Sequence, residues 1–90
     1  MTKEYSSITF HEADRDSGPF MILISGKSEF VSNIRIGYYS RWGYPSASVT
    51  LVEGWTNPEI KTYRTLDEAL EAAEQVWDIE GFHTSIETVE

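Results

Sequence analysis

Two different periods of hydrophobic residues divide the chain. Through about residue 64, apolar and polar residues alternate in short runs separated by turn-forming residues, which is typical of β-strands. From residue 65, apolar residues recur every three or four positions, which is the period of an α-helix. The change of period predicts an α+β fold, with one amphipathic helix packed on one face of a sheet.

The predicted sheet is antiparallel and has four to five strands. Strands are expected near residues 5–12, 20–24, 31–40, around 49–52 and over 60–64. The run at 20–24 is apolar on both faces, which indicates a central strand covered on both sides. Residues 83–89 are expected to form either a last edge strand or a frayed tail.

The helix is expected over about residues 66–80. Thr65 is the predicted N-cap, Glu68 completes a capping box, and Gly81 offers a left-handed stop. The predicted apolar stripe consists of Leu66, Ala69, Leu70, Ala73, Val76 and Trp77.

The helix can cover only one face of the sheet, so the opposite face should be apolar. Its expected members are Met21, Leu23, Tyr39 and Val52. We expect either the C-terminal segment or a second copy of the chain to cover them, because a monomer rarely exposes so large an apolar area. A homodimer is therefore one expectation from the sequence.

Composition narrows the class of protein. The 90 residues are expected to form a single domain, 1–90, with one core. The absence of cysteine excludes disulfide bonds and thiolate metal sites. The N-terminus has no signal-peptide pattern, and no apolar run approaches the ~20 residues of a membrane span. We therefore expect a cytoplasmic protein that does not bind membranes.

Charge is segregated along the chain. Residues 1–45 hold five acidic and five basic residues, whereas 46–90 hold ten and two and carry the entire net charge of −8. Four residues of the helix define what we call the acidic ridge: Asp67, Glu71, Glu74 and Asp78. Their spacing places them within about 60° of arc. The ridge is either a solvated face or a docking surface for a basic protein or nucleoprotein complex.

The end of the helix also carries a short string of residues that resembles a known sequence. The string is Gln75-Val76-Trp77-Asp78, then Glu80-Gly81 and Phe82. It resembles a segment of the small acidic anti-CRISPR proteins, which include a DNA mimic that acts on a type I-F surveillance complex. The likeness covers about eight residues. It implies a non-enzymatic phage or mobile-element inhibitor that occludes a nucleic-acid-handling surface in a bacterial host cell.

A second candidate surface lies at a predicted turn. Residues 38–45 contain four aromatic residues and one arginine. Arg41, Trp42 and Tyr44 are the candidate partner-binding residues, because Tyr, Trp and Arg dominate interface hot spots. The alternative is that the rings fold back over the end of the sheet. The net charge argues against stacking on single-stranded bases, so direct nucleic-acid binding is not expected.

Motifs that suggest catalysis or ligand binding are incomplete. The segment 26–28 reads Gly-Lys-Ser but lacks the upstream glycine of a phosphate-binding loop, since Met21 stands there. The loop at 14–18 lacks the glutamate that a calcium loop needs at its twelfth position. His11 and His83 are far apart in sequence. The sequence therefore predicts no enzyme, no cofactor and no metal.

Two functions remain open from the sequence, and a third, an unrecognised small enzyme, would require a pocket around His11 or His83. The first is a binding protein that pairs the acidic ridge with lysines and arginines of its target and anchors Trp42 and Tyr44. The second is a small structural or assembly domain whose acidity only provides solubility, and which self-associates through the apolar back face of its sheet.

Overall fold

The computed structural model describes residues 7–12, 15–39 and 44–89, whose backbone forms one five-stranded sheet and one helix. The elements are β1 (Ile8–Thr9), β2 (Phe20–Ile24), β3 (Glu29–Tyr39), β4 (Tyr44–Glu53), α1 (Leu66–Glu80) and β5 (Thr84–Thr88). The order across the sheet is β1-β5-β2-β3-β4. The predicted α+β fold, with a helix over 66–80 on a mostly antiparallel sheet, is confirmed.

The C-terminal segment 83–89 lies inside the sheet, between β1 and β2. It pairs in parallel with β1, where Ile8 is opposite Thr84, and antiparallel with β2, starting from Phe20 opposite Thr88. The prediction of an edge strand or a frayed tail is therefore wrong, and the sheet is mixed rather than fully antiparallel. The reason is that α1 returns the chain across the sheet, so the last strand inserts beside β2.

The segment at 60–64 is an isolated bridge rather than the predicted short strand. β2 and β3 pair at Leu23 opposite Phe30, and a bulge in β3 follows. At the other end of β2, Tyr63 exchanges two backbone hydrogen bonds with Phe20, at 2.7 and 2.8 Å. Hence this segment satisfies backbone groups of β2 that β3 does not reach.

Local hydrogen bonds begin and end the helix as predicted. The Glu68 N–H donates to Thr65 Oγ1 at 3.2 Å, and the Arg64 N–H donates to Glu68 Oε2 at 3.2 Å. The return bond of the capping box thus reaches the residue before the N-cap. At the other end, Gly81 has φ 72° and its N–H donates to the Trp77 carbonyl at 2.8 Å.

The core lies between α1 and one face of the sheet. The buried helix residues are Leu66, Ala69, Leu70, Ala72, Ala73 and Val76. The buried sheet residues are Ile8, Phe20, Ile22, Ile24, Val31 and Ile86. Trp77 is 42% exposed, so its prediction as part of the buried stripe is wrong. It lies at the border of the stripe in the last turn of the helix, and its ring contacts His83 at 5.1 Å between centroids.

The opposite face of the sheet has an apolar part, as expected, and the loop after β4 covers some of it. The strand register places Leu23, Phe30 and Val52 in one row, with Phe30 fully buried and the other two half-buried. The Trp55 ring packs edge-on against Phe30, at 4.9 Å between centroids. Met21 is also buried. The side chain of Tyr39 lies outside the described residues, and the C-terminal segment lies in the sheet rather than over this face.

Candidate binding surface

The acidic ridge lies on the solvent side of α1, and its four members have different surroundings. Asp67, Glu71 and Asp78 are exposed, whereas Glu74 is half-buried. Asp67 accepts a hydrogen bond at 2.8 Å from Nη1 of Arg15, a residue of the loop before β2. The sequence therefore placed the ridge on an exposed face but did not reveal that its first carboxylate is paired.

Arg15 connects this loop to the helix. Its guanidinium binds Asp67 and also Glu12, whose Oε1 accepts from Nε at 2.7 Å. Hydrogen bonds to these two carboxylates, Asp67 first, raise the pKa of Arg15. Because all three side chains are exposed, solvent screens the ion pairs and they contribute little to stability.

Glu71 lines an open groove of about 430 Å³ between α1 and the segment at 61–64. Lys61 and Arg64 line the same groove, and they are the two basic residues of the C-terminal half of the chain. Glu71 forms no ion pair with a described residue, and Glu68 lines the groove as well. The groove beside the middle of the ridge therefore carries two basic and two acidic residues.

The end of the helix carries an exposed tryptophan and two exposed carboxylates. Trp77, Asp78, Glu80 and His83 are all exposed there, and we call them the α1 end surface. The last turn has no basic residue. Carboxylates at a helix C-terminus face the negative end of the helix dipole, which disfavours them by about 0.3–1 kcal/mol each. Two carboxylates stand at this end despite that cost.

Trp77 is the residue of this surface that sequence reasoning misassigned. Its period matches the buried stripe, yet more than a third of its surface is open to solvent. The sequence contained a partial signal of this exposure. Trp77 is the last residue of the apolar stripe and lies four positions before Gly81, where the helix ends. A border residue near a helix end is buried only if the sheet extends beneath it.

The aromatic turn at residues 38–45 lies largely outside the residues that the structure describes. Arg41 and Trp42 lie outside the described residues, as does the side chain of Tyr44, whose backbone begins β4. Their proposed contact with a partner therefore stays a prediction. The described part of the hairpin is long, with ten register pairs between β3 and β4. Ile36, on β3, is 63% exposed.

Trp55 is a second exposed tryptophan that the sequence did not single out. It is 55% exposed and lines a groove of about 360 Å³ on the back face of the sheet, together with Met21 and Val89. The available signal was its place in a turn between Gly54 and Pro58, where a ring has few neighbours in sequence.

The described residues bring no three histidine, aspartate or glutamate side chains together in a way that could hold a metal ion. Residues 26–28 form the turn from β2 into β3, and Lys27 Nζ lies 5.6 Å from the centre of the Phe82 ring. In the described part of the chain, α1 is too short and too polar to cross a membrane. Comparison of the chain with family models, curated proteins and solved structures found no match.

Proposed function

We propose that this protein is a non-enzymatic binding protein that docks the α1 end surface on a basic surface of a partner. The observation that carries the proposal is the exposed Trp77 ring beside the carboxylates of Asp78 and Glu80. These carboxylates are placed where they weaken the helix, and neither forms an ion pair with a described residue. Residues that reduce stability without a structural role are characteristic of functional surfaces.

The two kinds of side chain have separate roles. An indole ring buries a large area with little loss of rotamer freedom, so Trp77 supplies affinity. The carboxylates of Asp78 and Glu80 attract lysine and arginine, which raises the association rate and aligns the partner. His83 packs against the Trp77 ring and holds it at the surface.

The finer proposal is inhibition by occlusion of a surface that normally binds nucleic acid. From Asp67 to Asp78 the ridge rises about 16 Å, or one carboxylate every 5–6 Å. A single DNA strand carries one phosphate every ~3.4 Å of axis. The ridge is therefore sparser than a nucleic-acid strand, and it fits a short row of two or three cations better than a long basic channel.

Two matched variants test the proposal. Asp78→Gln with Glu80→Gln removes two charges from the α1 end surface, and Glu53→Gln with Glu59→Gln removes two exposed charges elsewhere. Immobilised wild type and variants are incubated with bacterial lysate at low and high salt, with and without added duplex DNA. We expect wild type and the Glu53/Glu59 variant to retain a basic partner, and we expect high salt or added DNA to release it. The Asp78/Glu80 variant should not retain the partner.

Stability separates lost binding from lost folding. Removing Asp78 and Glu80 relieves an unfavourable helix-dipole interaction, so this variant should unfold at a slightly higher urea concentration than wild type. Equal retention of the partner by both variants would show that Asp78 and Glu80 do not carry the binding. Equal loss from both would show that only the overall charge matters. Either result would refute the proposal.

A second candidate function, an assembly domain, is favoured by Trp55. Its ring is more than half exposed over the groove on the back face of the sheet. Trp55→Ser should then abolish self-association while leaving binding through the α1 end surface intact. Unchanged sedimentation of this variant would exclude the back face as the contact.

A further inference from the structure

β4 forms the outer edge of the sheet and is ten residues long. Within residues 7–12, 15–39 and 44–89, it pairs as a strand only with β3. Among the described residues, the one hydrogen bond to the backbone of this strand from outside β3 comes from Asn57 Nδ2, which donates to the Glu53 carbonyl at 3.0 Å. Every second residue before Glu53 thus directs its N–H and C=O groups away from the sheet.

Between Pro45 and Glu53, this edge has none of the devices that usually prevent strand pairing. Natural edge strands are kept short, carry charged residues or proline, or contain a bulge. The opposite edge of the sheet, β1, has only two residues. β4 has no charged residue before Glu53, its one proline is Pro45 near its start, and the bulge of this hairpin lies in β3, between Val31 and Asn33.

We propose that β4 pairs antiparallel with β4 of a second copy of this chain, about a two-fold axis, to form one continuous sheet of ten strands. An isologous contact requires a segment that complements itself. The faces of β4 meet this requirement, because small hydroxyl residues occupy one face and aliphatic residues the other. They are Ser46, Ser48 and Thr50 on the back face, and Ala47, Val49 and Leu51 on the helix face.

The neutrality of β4 before Glu53 allows two copies of this acidic chain to meet at this edge. Two chains of net charge −8 repel each other, and this repulsion opposes association least where the contact surface carries no charge. Pairing centred near Val49 brings the uncharged residues of the two strands together. It keeps the two Glu53 carboxylates about 27 Å apart, well beyond the ~8 Å Debye length at physiological salt.

The same pairing gives exposed apolar residues a neighbour. Ile36 lies opposite Ala47 in the hairpin, and both are exposed. In an antiparallel register centred on Val49, Ala47 lies opposite Leu51 of the second copy, next to the apolar edge of that copy's core. A two-fold axis between antiparallel strands is perpendicular to the sheet, so both α1 helices lie on the same side of the joined sheet.

Charged pairs on the back face of β4 test the contact. Ser48→Lys with Thr50→Lys places like charges across the two-fold axis, where they destabilise strand pairing. Ser48→Glu with Thr50→Glu does the same with the opposite sign. Thr9→Lys with Ser17→Lys adds the same charge at exposed positions outside β4 and serves as the control. Sedimentation is measured from low to high micromolar concentration, with circular dichroism to confirm that each variant folds.

We expect wild type and the Thr9/Ser17 control to reach twice the chain mass as concentration rises. Each charged pair alone should weaken dimerisation about tenfold or more, and an equimolar mixture of the two should restore it, because unlike charges then face each other. Hydrogen exchange should show that alternate β4 amides become protected in the dimer. A wild type that stays monomeric, or a dimer that both charged pairs leave unchanged, would overturn the proposal.

Discussion

The hydroxyl of Thr84 provides a quantitative test of the packing between β5 and its neighbours. Thr84 is 1% exposed and lies between Ile8 of β1 and Ile24 of β2. Its Oγ1 has no hydrogen-bond partner among the described residues. A buried hydroxyl without a partner disfavours the folded state by about 1–3 kcal/mol.

Thr84→Val replaces this hydroxyl with a methyl group of similar size, so it should raise the free energy of unfolding. We expect a gain of about 1 kcal/mol, because the added methyl also becomes buried but must fit a tight site. For a domain of this size, 1 kcal/mol corresponds to a rise of about 4–8 °C in Tm.

Urea unfolding followed by tryptophan fluorescence measures the change in the free energy of unfolding. Thr9→Val is the control, because Thr9 is exposed on β1, and its effect should stay within about 0.5 kcal/mol. Thr84→Ser keeps the hydroxyl, removes the methyl and should be destabilising. A Thr84→Val variant that is less stable than wild type by 1 kcal/mol or more would refute the reasoning, because the hydroxyl would then have a partner in the folded protein.

Three further predictions follow from single residues. Gly81→Ala should lower the free energy of unfolding by about 1 kcal/mol, because φ is 72° there, whereas Gly37→Ala should be nearly neutral; urea unfolding compares them. Burial raises the pKa of Tyr63, so the neutral phenol contributes its full stability below pH ~10, and this stability is lost as the pH rises above that value. Tyr63→Phe should reduce this alkaline loss of stability, which urea unfolding at a series of pH values measures. Trp77→Ala should abolish partner capture while changing the urea midpoint little, and a large fall in that midpoint would instead assign Trp77 to the core.

Much of the helix could be predicted from the sequence because its signals are local. Thr65, Glu68 and Gly81 act on backbone groups within four residues, so the same hydrogen bonds form wherever the helix packs. The apolar run at 20–24 likewise identified a central strand, because a strand covered on both faces needs no alternation. The acidic ridge was placed on the exposed side of α1 for the same reason of local periodicity.

The candidate site depended more on contacts between distant residues. Arg15 pairs with Asp67 across 52 positions of sequence, whereas Asp78 and Glu80 at the end of the helix form no ion pair with a described residue. Trp77 has the period of a core residue, but whether a border residue is buried depends on how much of the sheet lies beneath it. Periodicity gives the direction of a side chain and not the extent of the surface that it meets.

What the sequence alone determined was therefore the helix, the strands at 20–24, 31–39 and 49–52, and the side of the helix that is apolar, since these follow from backbone geometry repeated over a few residues. The tertiary structure decided which strands are neighbours. The insertion of β5 between β1 and β2, the bridge at Tyr63 and the open edge of β4 all result from pairings between segments far apart in the chain. Such pairings depend on which arrangement buries the most apolar surface while satisfying backbone hydrogen bonds, and no local pattern encodes that comparison.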